Sequence, residues 1–309
     1  MANYITIDGG TTNTRINLVK NNEVVDSLKF NVGAKNGSKL KETVEKGIKN
    51  ILENNKMSEK DIEKILACGM ITSEFGLCNL PHITAPAGLD ELSESMFETT
   101  IEISQIPFVF VRGVKIPGEN FQEVDMMRGE ETELMGFNIE KDTLYVLPGS
   151  HSKLIYTDEK GRISKFSTEL TGELISAVSK ETILKDCISF EAEADEEYLL
   201  KGYDYAVKEG VNAAFFKTRI LKNLFNCNEN QTFGFFLGAA LSCEIENIIK
   251  SSANKVIIGG KKELKLPMAH ILKNNCKKEV VCLDEKTTGF ATTTGMIKIY
   301  ENLLTLKGK

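Results

Sequence analysis

The sequence predicts an α/β fold built from two similar lobes. A plan of strand, glycine-hydroxyl turn, strand, turn and strand begins at residue 4 and recurs at residue 143, which indicates an internal repeat. The first copy is followed by strands and helices in alternation, and the second by a series of helices, as in α/β domains. Neither G-x-x-x-x-G-K-[ST] nor G-x-G-x-x-G occurs in the 309 residues, so P-loop and Rossmann folds lack their motifs.

The first copy of the repeat places an acid, two glycines and two threonines at a strand end. The turn consists of Asp8, Gly9, Gly10, Thr11 and Thr12, between strand runs 4–7 and 15–20. A carboxylate before such a turn can hold a hydrated Mg²⁺, the glycines let the backbone approach phosphate oxygens, and the threonines donate hydrogen bonds to them. An ordinary tight hairpin with small residues at its tip explains this turn equally well when it is taken alone.

The second copy carries a similar turn between strand runs 143–147 and 154–156. It contains Gly149, Ser150, His151 and, at its end, Lys153. A lysine there places a compact positive charge near phosphates, and the alternative is a solvated lysine at a strand start. Strand 255–258 then ends in Gly259 and Gly260, which either let the backbone approach an adenosine or merely turn the chain. Together the turns predict two lobes that face a nucleotide between them.

Composition excludes several other classes of function. The net charge is −6 and no basic stripe is present, which argues against a nucleic-acid partner. Seven cysteines without a C-x-x-C pair predict reduced thiols, and three widely spaced histidines do not predict a metal site. The chain enters its first strand almost at once, and the longest apolar stretch, 233–243, is too short to cross a bilayer. We therefore expect a cytoplasmic protein without a membrane partner.

Three segments in order resemble the 2-dehydro-3-deoxygalactonokinase family, sugar-acid kinases of the sugar kinase, Hsp70 and actin superfamily. They are residues 8–15 (DGGTTNTR), 127–133 (MRGEETE), and 148–153 (PGSHSK) with 166–174 (FSTELTGEL). The resemblance is weakest at 35–105 and after 185. It implies two actin-like ATPase (ribonuclease H-like) lobes with a nucleotide cleft between them, at residues 1–140 and 141–286. The helix 287–304 would pack back on the first lobe.

The resemblance also implies an activity. It is ATP-dependent phosphorylation of the primary hydroxyl of 2-dehydro-3-deoxy-D-galactonate to the 6-phosphate, with Mg²⁺ and a small-molecule partner, and it allows a homodimer. The gluconate-derived epimer stays open as a substrate. One alternative is an exopolyphosphatase-like or other ATP hydrolase of the same superfamily, which would not need Arg128 beside its acids. The other is an actin-type scaffold, although the chain has no long inserted assembly domain.

By the same resemblance, Asp8 would hold the metal, and the turn residues with Lys153 would hold the phosphates. The first candidate for the proton acceptor is Glu130, which lies before a helical pattern at 132–138 and would otherwise only complement the helix dipole. Asp125, Glu131 and His151 are its rivals. Arg128 suits the substrate carboxylate because a guanidinium can donate two parallel hydrogen bonds. The weaker substrate candidates are Arg15, Thr171, Gly172 and Glu173, the last three of which could simply form a helix N-cap.

Overall fold

The computed structural model describes residues 2–308, which divide into two compact units. One unit takes residues 2–141, 157–165 and 286–308, and the other takes residues 142–156 and 166–285. The elements up to residue 141 are β1 (Asn3–Gly9), β2 (Thr14–Lys20), β3 (Glu23–Phe30), α1 (Ser38–Asn54), β4 (Lys64–Gly69), β5 (Ile83–Thr84), α2 (Leu89–Glu94), β6 (Phe97–Thr99), β7 (Phe108–Phe110), β8 (Val114–Ile116), β9 (Asp125–Met127) and α3 (Glu130–Met135). The elements that follow are β10 (Leu144–Leu147), β11 (Ser152–Thr157), β12 (Ile163–Glu169), α4 (Thr171–Glu181), α5 (Glu196–Glu209), α6 (Val211–Phe225), α7 (Glu229–Lys250), β13 (Lys255–Ile258), α8 (Lys262–Asn275), β14 (Glu279–Cys282), α9 (Glu285–Gly289) and α10 (Ala291–Lys307).

The two large sheets share one topology. The first has the strand order β3-β2-β1-β4-β7-β6, and the second has the order β12-β11-β10-β13-β14. In each, the first strand of the repeat pairs antiparallel with the second and parallel with the fourth. Antiparallel neighbours follow from the tight turns, whereas parallel pairing requires a longer crossover. The internal repeat predicted from the sequence is therefore present as two sheets of the same order.

The core of the first unit forms where β-strands meet α1. Alternate residues of β1 and β2 (Ile5, Ile7, Ile16 and Leu18) lie in this core. Helix α1 adds Leu40, Val44, Ile48 and Ile51 at the three- and four-residue spacing of one helix face. On the opposite face of the sheet, Asn17 donates to Thr293 Oγ1 of α10 at 2.7 Å. Gly37 is the capping residue of α1, and Ser38 already lies in the helix.

The long helix α7 forms the centre of the second unit. It is long and apolar enough to cross a membrane by those two measures, but 67% of its most apolar 18-residue window is buried within the protein. Close packing explains the burial: a Cβ on Gly238 would lie 1.9 Å from Leu199 O of α5, so only glycine allows the two helices to approach this closely. These contacts are those of a core helix.

Two helix boundaries are not visible in the sequence pattern. The helix that begins at Thr171 ends at Glu181, because Thr182 adopts an extended conformation and its hydroxyl accepts a hydrogen bond from Leu184 N. The helix expected at 287–304 is divided into α9 and α10 at Phe290, whose φ and ψ of −125° and 21° lie outside the helical region. In both cases a single non-helical residue sets the boundary, which hydrophobic periodicity does not reveal.

Candidate active site

Backbone hydrogen bonds from a segment that follows β3 support the first glycine-hydroxyl turn. Gly10 O accepts from Ala34 N at 3.0 Å, and Thr11 O accepts from Lys35 N at 3.1 Å. Gly33 makes this approach possible, since a Cβ there would lie 2.5 Å from Gly10 O. Thr11 and Thr12 themselves are exposed, which suits a role in ligand contact. The supporting segment was missed by the sequence analysis, and its only signal is a glycine shortly after the third strand.

The second turn is held in the same way by the start of α4. Gly149 O accepts from Gly172 N at 3.1 Å, and Ser150 O accepts from Glu173 N at 3.1 Å. A Cβ on Gly172 would lie 2.3 Å from Gly149 O, whereas a Cβ on Gly149 itself would meet nothing within 4 Å. The two turns are therefore built alike: in each, two consecutive backbone carbonyls accept hydrogen bonds from the backbone N–H groups of a later segment. Gly172 and Glu173 support the turn through their backbones.

We expect Gly172→Ala to disrupt the second turn, because the added methyl collides with the backbone of Gly149. A contact of 2.3 Å cannot be relieved by a side-chain rotation, so α4 and the turn must separate. The nucleotide affinity should fall at least about tenfold, with a loss of stability of about 1 to 3 kcal/mol. Calorimetric ATP titration and thermal unfolding measure these effects. Gly289→Ala is the matched control, since a Cβ there meets nothing within 4 Å, and an unchanged ATP affinity in Gly172→Ala would contradict the expectation.

A buried carboxyl group lies beneath the second turn. Glu244 of α7 is 2% exposed, and its Oε2 accepts from Thr171 Oγ1 at 2.6 Å. Burial raises the pKa of Glu244 to about 7, although its hydrogen bonds to Thr171 and Ser152 act in the opposite direction. The Thr171 hydroxyl is thus committed to Glu244, and the prediction of Thr171 as the N-cap is wrong because Leu170 is the capping residue. The sequence signal for Glu244 was an acid directly after the apolar stretch 233–243 of the helix.

The cations of the second turn occupy defined positions. Lys153 is 3% exposed, and its Nζ donates to His151 O at 3.4 Å. The alternative interpretation of Lys153 as a solvated lysine is therefore wrong. His151 Nε2 lies 3.3 Å from Glu173 Oε1, so a protonated His151 forms an ion pair with the start of α4. A positive charge is consequently built into the turn.

The glycines after β13 pack directly on the second turn. Gly259 N donates to Val146 O at 2.9 Å. Gly260 has a φ of +72°, and a Cβ there would lie 2.6 Å from Pro148 O. Both the left-handed conformation and the contact require glycine. The structure thus brings the predicted adenosine segment and the phosphate turn of this unit together.

In the first unit, three glycines bring the predicted acids to one edge of the sheet. Gly69 ends β4 with a φ of +84°, and a Cβ there would lie 2.7 Å from Gly9 O and 3.6 Å from Asp8 Oδ1. A Cβ on Gly129 would in turn lie 3.4 Å from Gly69 Cα. The strand end with Asp8 and the start of α3 therefore meet at the end of β4. Burial raises the pKa of the Cys68 thiol well above its usual range, and the nearby charges of Asp8, Glu131 and Glu130 raise it further.

The two adjacent glutamates of α3 have different environments. Glu131 is fully buried, and its two carboxylate oxygens accept from Gly129 N at 2.9 and 2.8 Å. Burial, with a further contribution from Glu130, raises the pKa of Glu131 to about 8. Glu130 is partly exposed at the first position of the helix. The third acid, Asp125, lies on β9, where its Oδ1 accepts from Met126 N at 2.6 Å. Glu131 thus serves the local fold, and Glu130 is the more accessible acid of the pair.

The two raised carboxyl pKa values predict that stability falls as the pH rises from about 5 to 8. Glu131 and Glu244 bind protons in the folded state with pKa values of about 8 and about 7, against an ordinary 4.5. Each therefore costs on the order of 3 kcal/mol once it is ionised. Denaturant unfolding of Glu131→Gln and Glu244→Gln at pH 5 and pH 8 should show a smaller pH dependence than the parent protein. The exposed control Glu181→Gln should match the parent, and equal slopes for all variants would contradict this account.

The two predicted substrate arginines of this unit are positioned by different contacts. Arg128 Nη1 donates to Thr72 Oγ1 at 2.8 Å, and Nη2 donates to Leu80 O at 2.8 Å. The pKa of His82, whose ring lies 3.4 Å from Nη2, falls to about 4 through burial and the charge of Arg128, so this histidine is neutral near pH 7. Arg15 lies opposite Asp8 in the register of β1 and β2. Each Nη of Arg128 carries a second hydrogen, so its contact with a carboxylate stays a prediction.

Comparison with known proteins connects this arrangement to a family. A sequence model of the family described as 2-keto-3-deoxy-galactonokinase matches residues 8–299. The chain belongs to this family. The matched range includes the turns of both units and the acids of α3, so the family resemblance inferred from the sequence is confirmed.

Two curated relatives match over shorter ranges. The 2-dehydro-3-deoxygalactonokinase of Escherichia coli (strain K12) is 29% identical over 174 residues, which are 56% of this chain and 55% of that protein. A candidate 2-dehydro-3-deoxygalactonokinase of Rhizobium meliloti (strain 1021) is 32% identical over 137 residues, 42% of this chain and 41% of that protein. The match thus spans about half the length of these family members, or less.

Solved structures show the fold over the whole chain. A structure of a candidate 2-dehydro-3-deoxygalactonokinase protein from Sinorhizobium meliloti aligns with a TM-score of 0.78 at 21% identity, covering 97% of this chain and 99% of that one. A xylulose kinase from Lactobacillus acidophilus aligns with a TM-score of 0.53 at 11% identity, covering 99% and 90%. The predicted fold class, with actin-like ATPase lobes, is confirmed for this member of the family.

Proposed function

We propose that the protein transfers the γ-phosphoryl group of ATP to the primary hydroxyl of 2-dehydro-3-deoxy-D-galactonate. The bond between the γ-phosphorus and the bridging oxygen breaks, a bond to the sugar oxygen forms, and the products are ADP and the 6-phosphate. One observation carries the proposal: each unit contains a glycine-hydroxyl turn whose carbonyls accept two backbone hydrogen bonds from a later segment. In a chain of this family, such paired turns favour nucleotide phosphates as ligands, and the name of the E. coli relative supports the sugar acid as the acceptor.

Glu130 is the proposed acceptor of the hydroxyl proton. Transfer to an alcohol requires a group that takes this proton as the new bond to phosphorus forms. Glu130 is partly exposed and acts electrostatically on Cys68, which lies one residue before the end of β4. Glu131 is unsuited to the role because its oxygens are buried and already accept from Gly129 and Thr132. Asp125 and His151 remain the alternatives.

The residues at the end of β1 fit a magnesium ion that accompanies ATP. Within residues 2–308 no group of three or more His, Cys, Asp and Glu residues is arranged to hold a metal. One or two carboxylates with nucleotide oxygens and water are the usual surroundings of Mg²⁺ in phosphoryl-transfer enzymes. Asp8, which acts on the Cys68 thiol together with Glu130 and Glu131, would hold the ion. When bound, it neutralises phosphate charge and favours in-line transfer.

The turns supply the remaining phosphate contacts. In the first unit, the hydroxyls of Thr11 and Thr12 would donate to phosphate oxygens. In the second unit, Gly149 and Ser150 would donate, and Lys153 would contribute a positive charge. Because the turn carbonyls are bonded to the segments behind them, the turns need little rearrangement to bind. Such pre-organisation lowers the entropic cost of binding and of transfer.

A coupled assay of ADP release tests the proposal. The purified protein is supplied with ATP and Mg²⁺, first alone and then with the galactonate-derived acid, its gluconate-derived epimer, or a neutral hexose. We expect ADP release only with a keto-deoxy acid, and phosphorus NMR should show a primary phosphate ester. ADP release that ignores the acid would instead support a hydrolase of the same fold. A preference for the epimer would keep the chemistry and change the substrate. The setting supported by this proposal is a cytoplasmic enzyme acting on a small molecule.

A further inference from the structure

A second arginine lies at the same sheet edge as the candidate acids. β7 runs parallel to β4, and β4 runs parallel to β1, so all three strands end at one edge. Val111 N donates to Ala67 O at 2.9 Å, which extends this pairing beyond β7. Arg112 is the next residue. It therefore emerges at the edge where β1 ends beside Asp8.

The guanidinium of Arg112 includes a buried donor without a partner. Arg112 as a whole is half-buried, but its Nε is shielded from solvent and has no hydrogen-bond partner in the described part of the chain. Arg112 does act on the neighbouring Cys78 thiol, but burial is the larger effect there and raises the pKa of Cys78, so the thiol stays neutral near pH 7. A buried N–H donor without a hydrogen bond carries a desolvation cost. An anionic ligand that accepts a hydrogen bond from this donor would remove that cost.

Arg128 shows how the protein itself provides hydrogen-bond partners for an arginine at this edge. The segment of Arg112 touches the segment of Arg128, since a Cβ on Gly113 would lie 2.7 Å from Arg128 Cγ and 2.4 Å from Met127 O. Both Nη atoms of Arg128 donate hydrogen bonds, to Thr72 and to Leu80. Two guanidinium groups thus lie on adjacent segments, and the one with a buried unpartnered donor is Arg112.

We infer that Arg112 binds the carboxylate of the sugar-acid substrate. The inference deepens the proposed function and rests on it. A guanidinium presents two parallel donors that match a carboxylate. Its distance from the acids also fits: β7 and β1 are separated by β4, so their ends are about 10 Å apart at ordinary strand spacing. An extended six-carbon acid spans roughly 8 to 9 Å from its primary hydroxyl to its carboxylate oxygens at ordinary bond lengths. The hydroxyl can therefore lie beside Asp8, with the start of α3 and Glu130 at the end of the intervening strand β4, while the carboxylate reaches Arg112.

The test compares Arg112→Met, Arg112→Lys and the control Arg219→Met. Methionine retains much of the apolar stem without the charge, lysine retains the charge without the fork, and Arg219 lies on α6 of the other unit. Initial rates are measured with the galactonate-derived keto-deoxy acid and with its carboxamide. We expect Arg112→Met to raise the KM for the acid about 10- to 100-fold while the KM for ATP and the thermal midpoint stay within about twofold and a few degrees of the parent. Arg112→Lys should recover part of the loss, and the carboxamide should respond less than threefold.

Several outcomes would overturn the inference. A folded Arg112→Met enzyme with an unchanged KM for the acid excludes the contact, and a raised KM for ATP alone assigns Arg112 to the phosphates. Calorimetric titration with a panel of hexonic acids separates this inference from the proposed reaction. If the parent protein fails to phosphorylate the keto-deoxy acid but binds another hexonate in an Arg112-dependent manner, the substrate is wrong and the role of Arg112 stands. If the parent protein binds no sugar acid, the inference fails.

Discussion

Replacing Glu130 with glutamine should abolish phosphoryl transfer while leaving the protein folded. Glutamine has nearly the shape of glutamate but cannot accept the hydroxyl proton, so we expect kcat to fall by about 10² to 10⁴. ATP binding should weaken only modestly, because Glu130 is not part of either phosphate turn. The variant should be no less stable than the parent near pH 8, since the charge of Glu130 contributes to the raised pKa of Glu131. Stopped assays of ADP and sugar phosphate, with ATP titration calorimetry, measure both properties.

The alternative role of Glu130 is to complement the dipole of α3. A variant at the first position of another helix measures the effect of that role alone. Glu229 is the first residue of α7, as Glu130 is of α3. Glu229→Gln removes the same helix-end interaction, worth about 0.3 to 1 kcal/mol, at a place without an active-site role. It should retain normal turnover. Near-normal turnover in Glu130→Gln would remove Glu130 from the base role and direct attention to Asp125.

The repeat could be predicted from the sequence because short local patterns encode it. Each turn combines glycine with hydroxyl residues between strand-like runs, and such signals depend on neighbours a few residues apart. The two sheets then follow with the same strand order. The choice of Glu130 over Glu131 as the first candidate came from the family resemblance. Nothing local distinguished their burial.

What could not be predicted depends on contacts between distant segments. The segment 33–35 holds a turn more than twenty residues earlier, and Glu244 lies beneath a turn almost one hundred residues before it. Arg112 follows an ordinary buried strand, and its unusual feature is that a partner is missing, which no sequence pattern encodes. A solvated Lys153 stayed open as an alternative because the burial of this side chain is decided by the tertiary structure. Long-range packing overrides residue preference at each of these positions.

Asp8→Asn should cause the second large loss of activity, and it should do so through the metal. Asparagine keeps the size of the side chain and one oxygen but removes the negative charge that favours Mg²⁺. We expect kcat/KM to fall by about 10³, which corresponds to about 4 kcal/mol. The magnesium concentration that gives half-maximal rate should rise at the same time. Rates measured across a magnesium titration at saturating ATP separate this effect from weakened binding of the sugar acid.

The stability of the same variant distinguishes an active-site acid from a structural one. Asp8 and Glu130 both act on the buried Cys68 thiol, so the two carboxylates lie close enough to repel each other in the folded protein. Removing one charge should leave the thermal midpoint of Asp8→Asn unchanged or raise it. A structural carboxylate would show the opposite, a lower midpoint with activity lost in proportion to unfolding. The exposed control Asp204→Asn should change neither activity nor stability. Full magnesium-dependent activity in Asp8→Asn would exclude Asp8 as the metal-binding residue.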